Sequence, residues 1–192
     1  MGEDMRKKEP MMMTDDQRVV SVEPWVFGEG PNSHTPVRAE SVCDFGITPS
    51  IPQDHKSFRV LKHDRFGGKK VVRFLDGKLY VDELQVVSGI INVQRQLNVE
   101  GFRINSLIRR DGHCLANANF VDFLKFHPEL FPNNHKADGH CLVSWGTVYH
   151  DLISGRDCLK AIRWNKDRAC VEGVTKSLFD FFCDKCFYIA FA

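Results

Sequence analysis

No apolar run in this chain approaches the roughly 20 residues that a membrane-spanning helix requires. The sequence is therefore expected to make no membrane span. Charge of one sign is equally lacking: 26 Lys and Arg stand against 25 Asp and Glu, a formal net charge of +1. That balance supplies no basic field for nucleic acid and no acidic tail. Met1 to Glu9 are charged with no hydrophobic stretch behind them, and Arg6 stands where a myristoylation pattern needs Ser or Thr. A soluble, cytoplasmic protein without nucleic-acid partners is the expectation. The cysteines are not paired off by number either. Seven, spread from Cys43 to Cys186, make an odd count that argues against a disulfide framework and for reduced thiols buried as small hydrophobes.

What is present suits one hydrophobic core, since 192 residues with 43% hydrophobic and 27% charged side chains are ordinary for a globular domain. The chain divides near residue 57. Six of the eight prolines (Pro10, Pro24, Pro31, Pro36, Pro49 and Pro52) interrupt residues 1–57, predicting an irregular N-terminal arm. Within it Arg18 to Phe27 could form one strand, ended by Gly28-Glu29-Gly30-Pro31, and the rest reads as loop. Met11 to Met13 precede a polar turn at Thr14 to Gln17.

Residues 58–192 read as a single α+β domain with a mainly antiparallel sheet and one or two helices. Phe58 to Lys62 alternates as a strand. Lys70 to Leu75 and Lys78 to Val81 flank Asp76-Gly77, the strongest short hairpin signal, because both central positions need positive φ. Val81 to Leu97 places Leu84, Val87, Ile91, Val93 and Leu97 at spacings that suit a helix capped by Asp82, although Gly89 and the β-branched residues weigh against it. Phe102 to Ile108 reads as a short strand. Leu115, Ala118, Phe120, Val121, Phe123 and Leu124 form a helical face that must end before Pro128. Cys141 to Tyr149, Cys158 to Trp164 and Ala169 to Val174 follow as strands, Ser177 to Cys183 as a helical turn, and Phe187 to Phe191 as a last strand.

One pentapeptide occurs twice. Asp-Gly-His-Cys-Leu spans Asp111 to Leu115 and again Asp138 to Leu142, 27 residues later. Asp-Gly-X-Cys-Leu opening a helix resembles the nucleophile motif of ovarian-tumour-type cysteine peptidases, which cleave ubiquitin linkages. That resemblance implies a thiol hydrolase using Cys114 or Cys141, activated at a helix N-terminus. The family also needs a catalytic His far downstream, and the last one here, His150, is only nine residues beyond Cys141. Zinc is the other chemistry considered. Cys183-Asp184-Lys185-Cys186 has knuckle spacing, and His113, Cys114, His140 and Cys141 could complete a tetrahedral site. A second pair of knuckle grade is missing, and Phe179, Phe181, Phe182 and Phe187 around the two cysteines suit buried thiols, so neither metal nor cofactor is expected. His113 and His140, each following Asp-Gly, read most simply as turn residues.

A longer resemblance runs from Ile104 to Asp151, through Ile108-Arg-Arg-Asp-Gly-His-Cys-Leu-Ala-Asn-Ala-Asn-Phe-Val-Asp-Phe-Leu124, Pro128-Glu-Leu-Phe-Pro132 and Trp145-Gly-Thr-Val-Tyr149. It is similar to a group of proteins from patescibacteria, the candidate phyla of very small bacteria. In those relatives the stretch precedes a C-terminal segment that differs between copies, like the variable regions rewritten by diversity-generating retroelements. The resemblance implies a possible variable C-terminal region 156–188, with Leu159, Trp164-Asn165, Leu178 and Asp180 as framework; the usual Asn- and Trp-rich filling is absent. It implies a non-enzymatic protein binding an unknown protein or small ligand. A binding surface favours Trp, Tyr and Arg as anchors, and here those are Arg163, Trp164, Arg168 and Tyr188. On Cys158 to Trp164 the set Cys158, Lys160, Ile162, Trp164 alternates with Leu159, Ala161, Arg163, and the two mix polar and apolar too evenly to assign faces.

Overall fold

The computed structural model describes residues 19–25, 27, 41–52, 57–91, 94, 99–110, 112 and 114–192. The strands are β1 (Val19–Pro24), β2 (Ser41–Asp44), β3 (Phe58–His63), β4 (Lys69–Leu75), β5 (Lys78–Val81), β6 (Leu84–Ile91) and β7 (Val99–Glu100). Helix α1 (Gly101–Arg110), β8 (Cys114–Leu115) and helix α2 (Ala118–Phe126) come next, then 3-10 turns at Pro128–Leu130 and Asn133–His135. The chain finishes with β9 (Cys141–Val143), β10 (Thr147–Asp151), β11 (Arg156–Asn165), β12 (Cys170–Ser177), β13 (Phe181–Phe182) and β14 (Cys186–Phe191). Among the described residues no helix is long and apolar enough to cross a membrane.

This is a sheet-rich α+β fold. Twelve strands join in one sheet ordered β2-β4-β5-β6-β14-β9-β11-β10-β3, with β1 also on β6, β12 on β11 and β8 on β14; β7 and β13 pair separately. All the pairings described are antiparallel except β9 with β14. The β4–β5 hairpin turns at Asp76-Gly77 as the sequence predicts, with φ of 50° and 72°, where an Asp is tolerated and a Gly is at ease.

Three readings of the sequence are corrected. Leu84–Ile91, expected in a helix, is strand β6, paired to β1 on one side and β14 on the other. A central strand covered on both faces reads as a continuous apolar run, which periodicity alone does not separate from a helix; the β-branched Val86, Val87, Ile90 and Ile91 decide for the strand. Gly89 is required there, since a Cβ would lie 2.5 Å from the Tyr188 ring on the neighbouring strand. Phe102 to Ile108, expected as a strand, lies inside α1, where Ile104, Leu107 and Ile108 bury one face at helical spacing. Ser177 to Cys183 is not a helical turn; it holds a tight turn and the two-residue strand β13. Two smaller differences accompany these: Cys141 to Tyr149 is broken into β9 and β10, and Ser41–Asp44, read as loop, pairs with β4.

Each face of the sheet carries one helix. Helix α2 stops at Phe126, before Pro128, and opens on Asn117, whose side chain accepts from the Asn119 N–H at 3.1 Å. Its Phe120, Val121, Phe123 and Leu124 pack with Trp25, Phe45, Ile162 and Phe191. Helix α1 packs on the other face with Val143, Trp145, Leu159, Ala161 and Phe182. The two alternating sets on β11 thus face different helices, and both are buried from Cys158 to Ile162, with Arg163 exposed at the end, which is why neither reads as a solvent side. Phe120 is fully buried, 5.4 Å from the Phe191 ring and 5.9 Å from that of Phe45. Its truncation to Ala is expected to cost about 3–5 kcal/mol by emptying the centre of this core, whereas Ile153→Ala, on an exposed turn, should stay within about 0.5 kcal/mol. Urea unfolding of the two variants measures the contrast; equal losses would place the core elsewhere.

Candidate functional site

A pocket of about 530 Å³ opens between α2, the segment that follows β2, and strands β11 and β12. Its walls are built by two amides. Asn117 donates to the carbonyls of Phe45 and Asp64 at 3.1 and 3.0 Å, and Asn119 donates to those of Asp44 and Ile47, both at 3.0 Å. The Asn-Ala-Asn at the start of α2 therefore pins residues 44–47 against the helix, holding one side of the cavity in place.

The floor is ionic. Lys160 points from the middle of β11 and is only 7% exposed, a costly position for an ammonium unless its donors are met. They are met. Nζ donates to Asp122 Oδ1 and Oδ2 at 2.9 and 2.8 Å and to Ser50 Oγ at 2.6 Å, and Ser50 Oγ in turn donates to Asp122 Oδ2 at 2.6 Å. Tyr149, wholly buried on β10, donates from its hydroxyl to the Ser50 carbonyl at 3.0 Å and lays its ring 5.7 Å from Nζ. Burial pulls the Lys160 ammonium below its ordinary pKa while Asp122 opposes that fall, and burial raises the Tyr149 phenol. Cys43, on the inner wall, is pushed up to about 12 by burial and by Asp44 and Asp122.

The rim is apolar where water should favour polar groups. Val42 (57% exposed), Ile47 (55%), Ile51 (46%) and Phe126 (82%) all line the opening. Lys125 stands beside them, its Nζ over Gly173 of β12. A mouth of exposed aliphatic and aromatic side chains above a satisfied ionic floor can take an amphipathic molecule, apolar body outward and polar head inward.

None of the four anchors named from the sequence lines this pocket. Arg163 and Arg168 are exposed and converge on Glu172 across the β11–β12 hairpin, at 3.4 and 3.8 Å. Trp164 turns to the opposite face, half-buried, its ring 5.8 Å from Phe131 and 4.4 Å from Lys136 Nζ. Tyr188 is 1% exposed, over Gly89, so it has no side-chain surface to offer a partner. Cys114 and Cys141 both lie on strands, not at a helix N-terminus; burial raises the Cys114 thiol, and the hydrogen bond donated to Cys186, followed by burial, raises that of Cys141. His113 is outside the described residues. His140 packs against the rings of His135 and Phe187. Among the described residues no group of three or more His, Cys, Asp or Glu is placed to hold a metal ion.

The residues missed were Ser50, Asp122 and Lys160. Two of them did leave a signal: Asp122 interrupts the apolar face Phe120-Val121-Asp122-Phe123-Leu124, and Lys160 interrupts Cys158-Leu159-Lys160-Ala161-Ile162. A charge set inside each of two apolar runs is the pattern of a buried pair. Comparison with protein-family models, with curated proteins and with solved structures finds no match to this chain.

Proposed function

We propose that this protein is a non-enzymatic binding protein that takes a small amphipathic ligand in the pocket between α2, residues 44–52 and the β11–β12 hairpin. The observation that carries this reading is the gathering of Val42, Ile47, Ile51 and Phe126, four large hydrophobic side chains left exposed, around one cavity. The cavity's volume of about 530 Å³ falls within the range of small-molecule sites. Lys125 and the Ser50–Asp122–Lys160 group supply the polar contacts that would orient a ligand bearing an acidic or hydrogen-bonding head. The hydrolase alternative has less support, because neither Cys114 nor Cys141 sits where a backbone dipole would activate it.

A macromolecular partner, if the region 156–188 is of the retroelement-diversified kind, would meet the outward side chains of the β11–β12 hairpin. Arg163 and Arg168 would be the anchors there, while Trp164 lies on the other face and Tyr188 would belong to the framework instead. The near-repeat of coding sequence beside a reverse transcriptase that such a lineage requires is an observation on the DNA, separate from the pocket.

The test uses anilinonaphthalene sulfonate, an aromatic body with an anionic head, as probe. Saturable one-to-one binding to the folded protein is expected, weakened at least about tenfold, or 1.4 kcal/mol, by Ile47→Asp and by Phe126→Asp. Lys125→Glu should weaken it less. Unchanged affinity in both rim variants, with thermal unfolding intact, would remove the pocket from consideration.

A further inference from the structure

Two of the seven cysteines meet in the sheet, and a third stands three residues before one of them. Cys141 opens β9 and Cys186 opens β14, and these two are directly opposite each other in the parallel pair. Their sulfurs are 3.4 Å apart, with Cys141 Sγ donating to Cys186 Sγ. Adjacent strands hold Cα atoms close to the separation that disulfides tolerate, and closing the sulfurs to about 2.05 Å needs side-chain rotation more than backbone movement. The third cysteine, Cys183, begins the tight turn Cys183-Asp184-Lys185-Cys186, closed by the Cys186 N–H to the Cys183 carbonyl at 3.1 Å. Cys183 lies near enough to the Cys186 thiol to help lower it, after the larger effect of the hydrogen bond from Cys141. Cys141 and Cys186 are buried, whereas Cys183 is only partly buried. Gln94 locks the arrangement, donating to the carbonyls of Cys183 and Cys186 at 3.2 and 3.0 Å.

We propose that Cys183, Cys186 and Cys141 form a thiol relay, a redox site at which a small disulfide of the glutathione type enters at Cys183 and the oxidised state is stored as a Cys141–Cys186 disulfide. The Cys183 thiolate attacks one sulfur of the small disulfide, whose S–S bond breaks; a mixed disulfide forms on Cys183 and one small thiol leaves. The Cys186 thiolate then attacks the Cys183 sulfur, making the Cys183–Cys186 bond across the turn and expelling the second small thiol. Cys141 finally attacks the Cys186 sulfur beside it, which returns Cys183 to the thiol. In sum two protein thiols and one small disulfide give one protein disulfide and two small thiols, so electrons and protons balance. The order follows from access, because of these three only Cys183 is not fully buried, and from polarity, because the hydrogen bond that the Cys186 sulfur receives from Cys141 favours its thiolate and makes it a competent second nucleophile.

The relay is separate from the ligand pocket, which contains none of these residues. It is tested by incubating the full chain with glutathione disulfide, quenching in acid, alkylating free thiols and mapping disulfides by mass spectrometry. The expected product is a Cys141–Cys186 cross-link, with Cys43, Cys114, Cys158 and Cys170 alkylated. Cys183→Ser should slow its formation at least tenfold without changing the final product, and Cys141→Ser should trap the Cys183–Cys186 bond. The idea fails if the wild-type chain keeps all three thiols free at oxidising ratios, if glutathione stays on other cysteines instead, or if Cys183→Ser oxidises at the wild-type rate. Stoichiometric zinc protecting the three cysteines from alkylation would also overturn it, in favour of a metal site. The wild-type map decides even if a substitution at a buried position fails to fold.

Discussion

Lowering the pH from 7 to 4 is expected to remove about 3 kcal/mol of folding stability through one side chain, His135. The ring is 1% exposed, wedged 4.3 Å from the Phe187 ring, with Nε2 at 2.6 Å from Ser88 Oγ and Nδ1 without a hydrogen-bond partner among the described residues. Burial, reinforced by His140, lowers its pKa from 6.5 to about 4. In the unfolded chain the ring takes up a proton as the pH falls through 6.5; in the folded chain it resists until about 4. Stability is therefore fully present above 6.5, declines across the interval between the two values, and levels off below it. His140, also lowered chiefly by burial, acts in the same direction. Asp151, held down to about 2 by hydrogen bonds from Ser154, Ile153 and Ser57, titrates in the folded state only below this window. Urea unfolding at half-unit steps of pH measures the slope, and His135→Phe should flatten it. A slope unchanged in that variant would assign the loss to other groups.

The second large effect is expected at Asp122. Its removal leaves the Lys160 ammonium buried with, among the described residues, Ser50 Oγ alone to accept from it, a loss of about 3 kcal/mol, the lower end for a broken buried pair because the pocket lets some water reach it. Asp122→Ala tests this alone, and Asp122→Ala with Lys160→Met tests the pair. The double variant should recover most of the loss, since Met carries no charge to strand. If single and double variants are equally unstable, Asp122 matters for packing on α2 and not for the charge it neutralises.

These two sites show how much a linear reading carries. The Asp76-Gly77 hairpin, the end of α2 before Pro128 and strands at β3, β11, β12 and β14 follow from short-range chemistry, and they stand where the sequence places them. What failed was the assignment of apolar segments whose neighbours are distant in sequence. Leu84–Ile91 is extended because β1 and β14 flank it, and β14 comes from nearly a hundred residues downstream. Gly101–Arg110 is helical because the sheet offers its apolar face a surface. The pocket was illegible for the same reason: Ser50, Asp122 and Lys160 lie 72, 38 and 110 residues apart in pairs. The repeated Asp-Gly-His-Cys-Leu drew attention as chemistry, yet its second copy supplies a turn and a strand start, with Cys141 acting through Cys186, which no local motif reveals. The Asn-Ala-Asn that follows the first copy proves to be masonry for the pocket wall.

The position of β14 bears on how the molecule assembles. Among the described residues it is the one strand that bridges one group, β1, β2, β4, β5 and β6, and another, β3, β9, β10, β11 and β12. Each group holds a hairpin of low sequence separation, β4–β5 in one and β11–β12 in the other, beside long-range pairings of β1 with β6 and β3 with β10. The joint between them waits for Cys186–Phe191 to slot in, antiparallel to β6 and parallel to β9, across long loop closures that are slow to find. The fold thus has a keystone: one strand that makes two groups of strands a single sheet, carrying at its first residue the sulfur that the proposed disulfide would rivet to its neighbour.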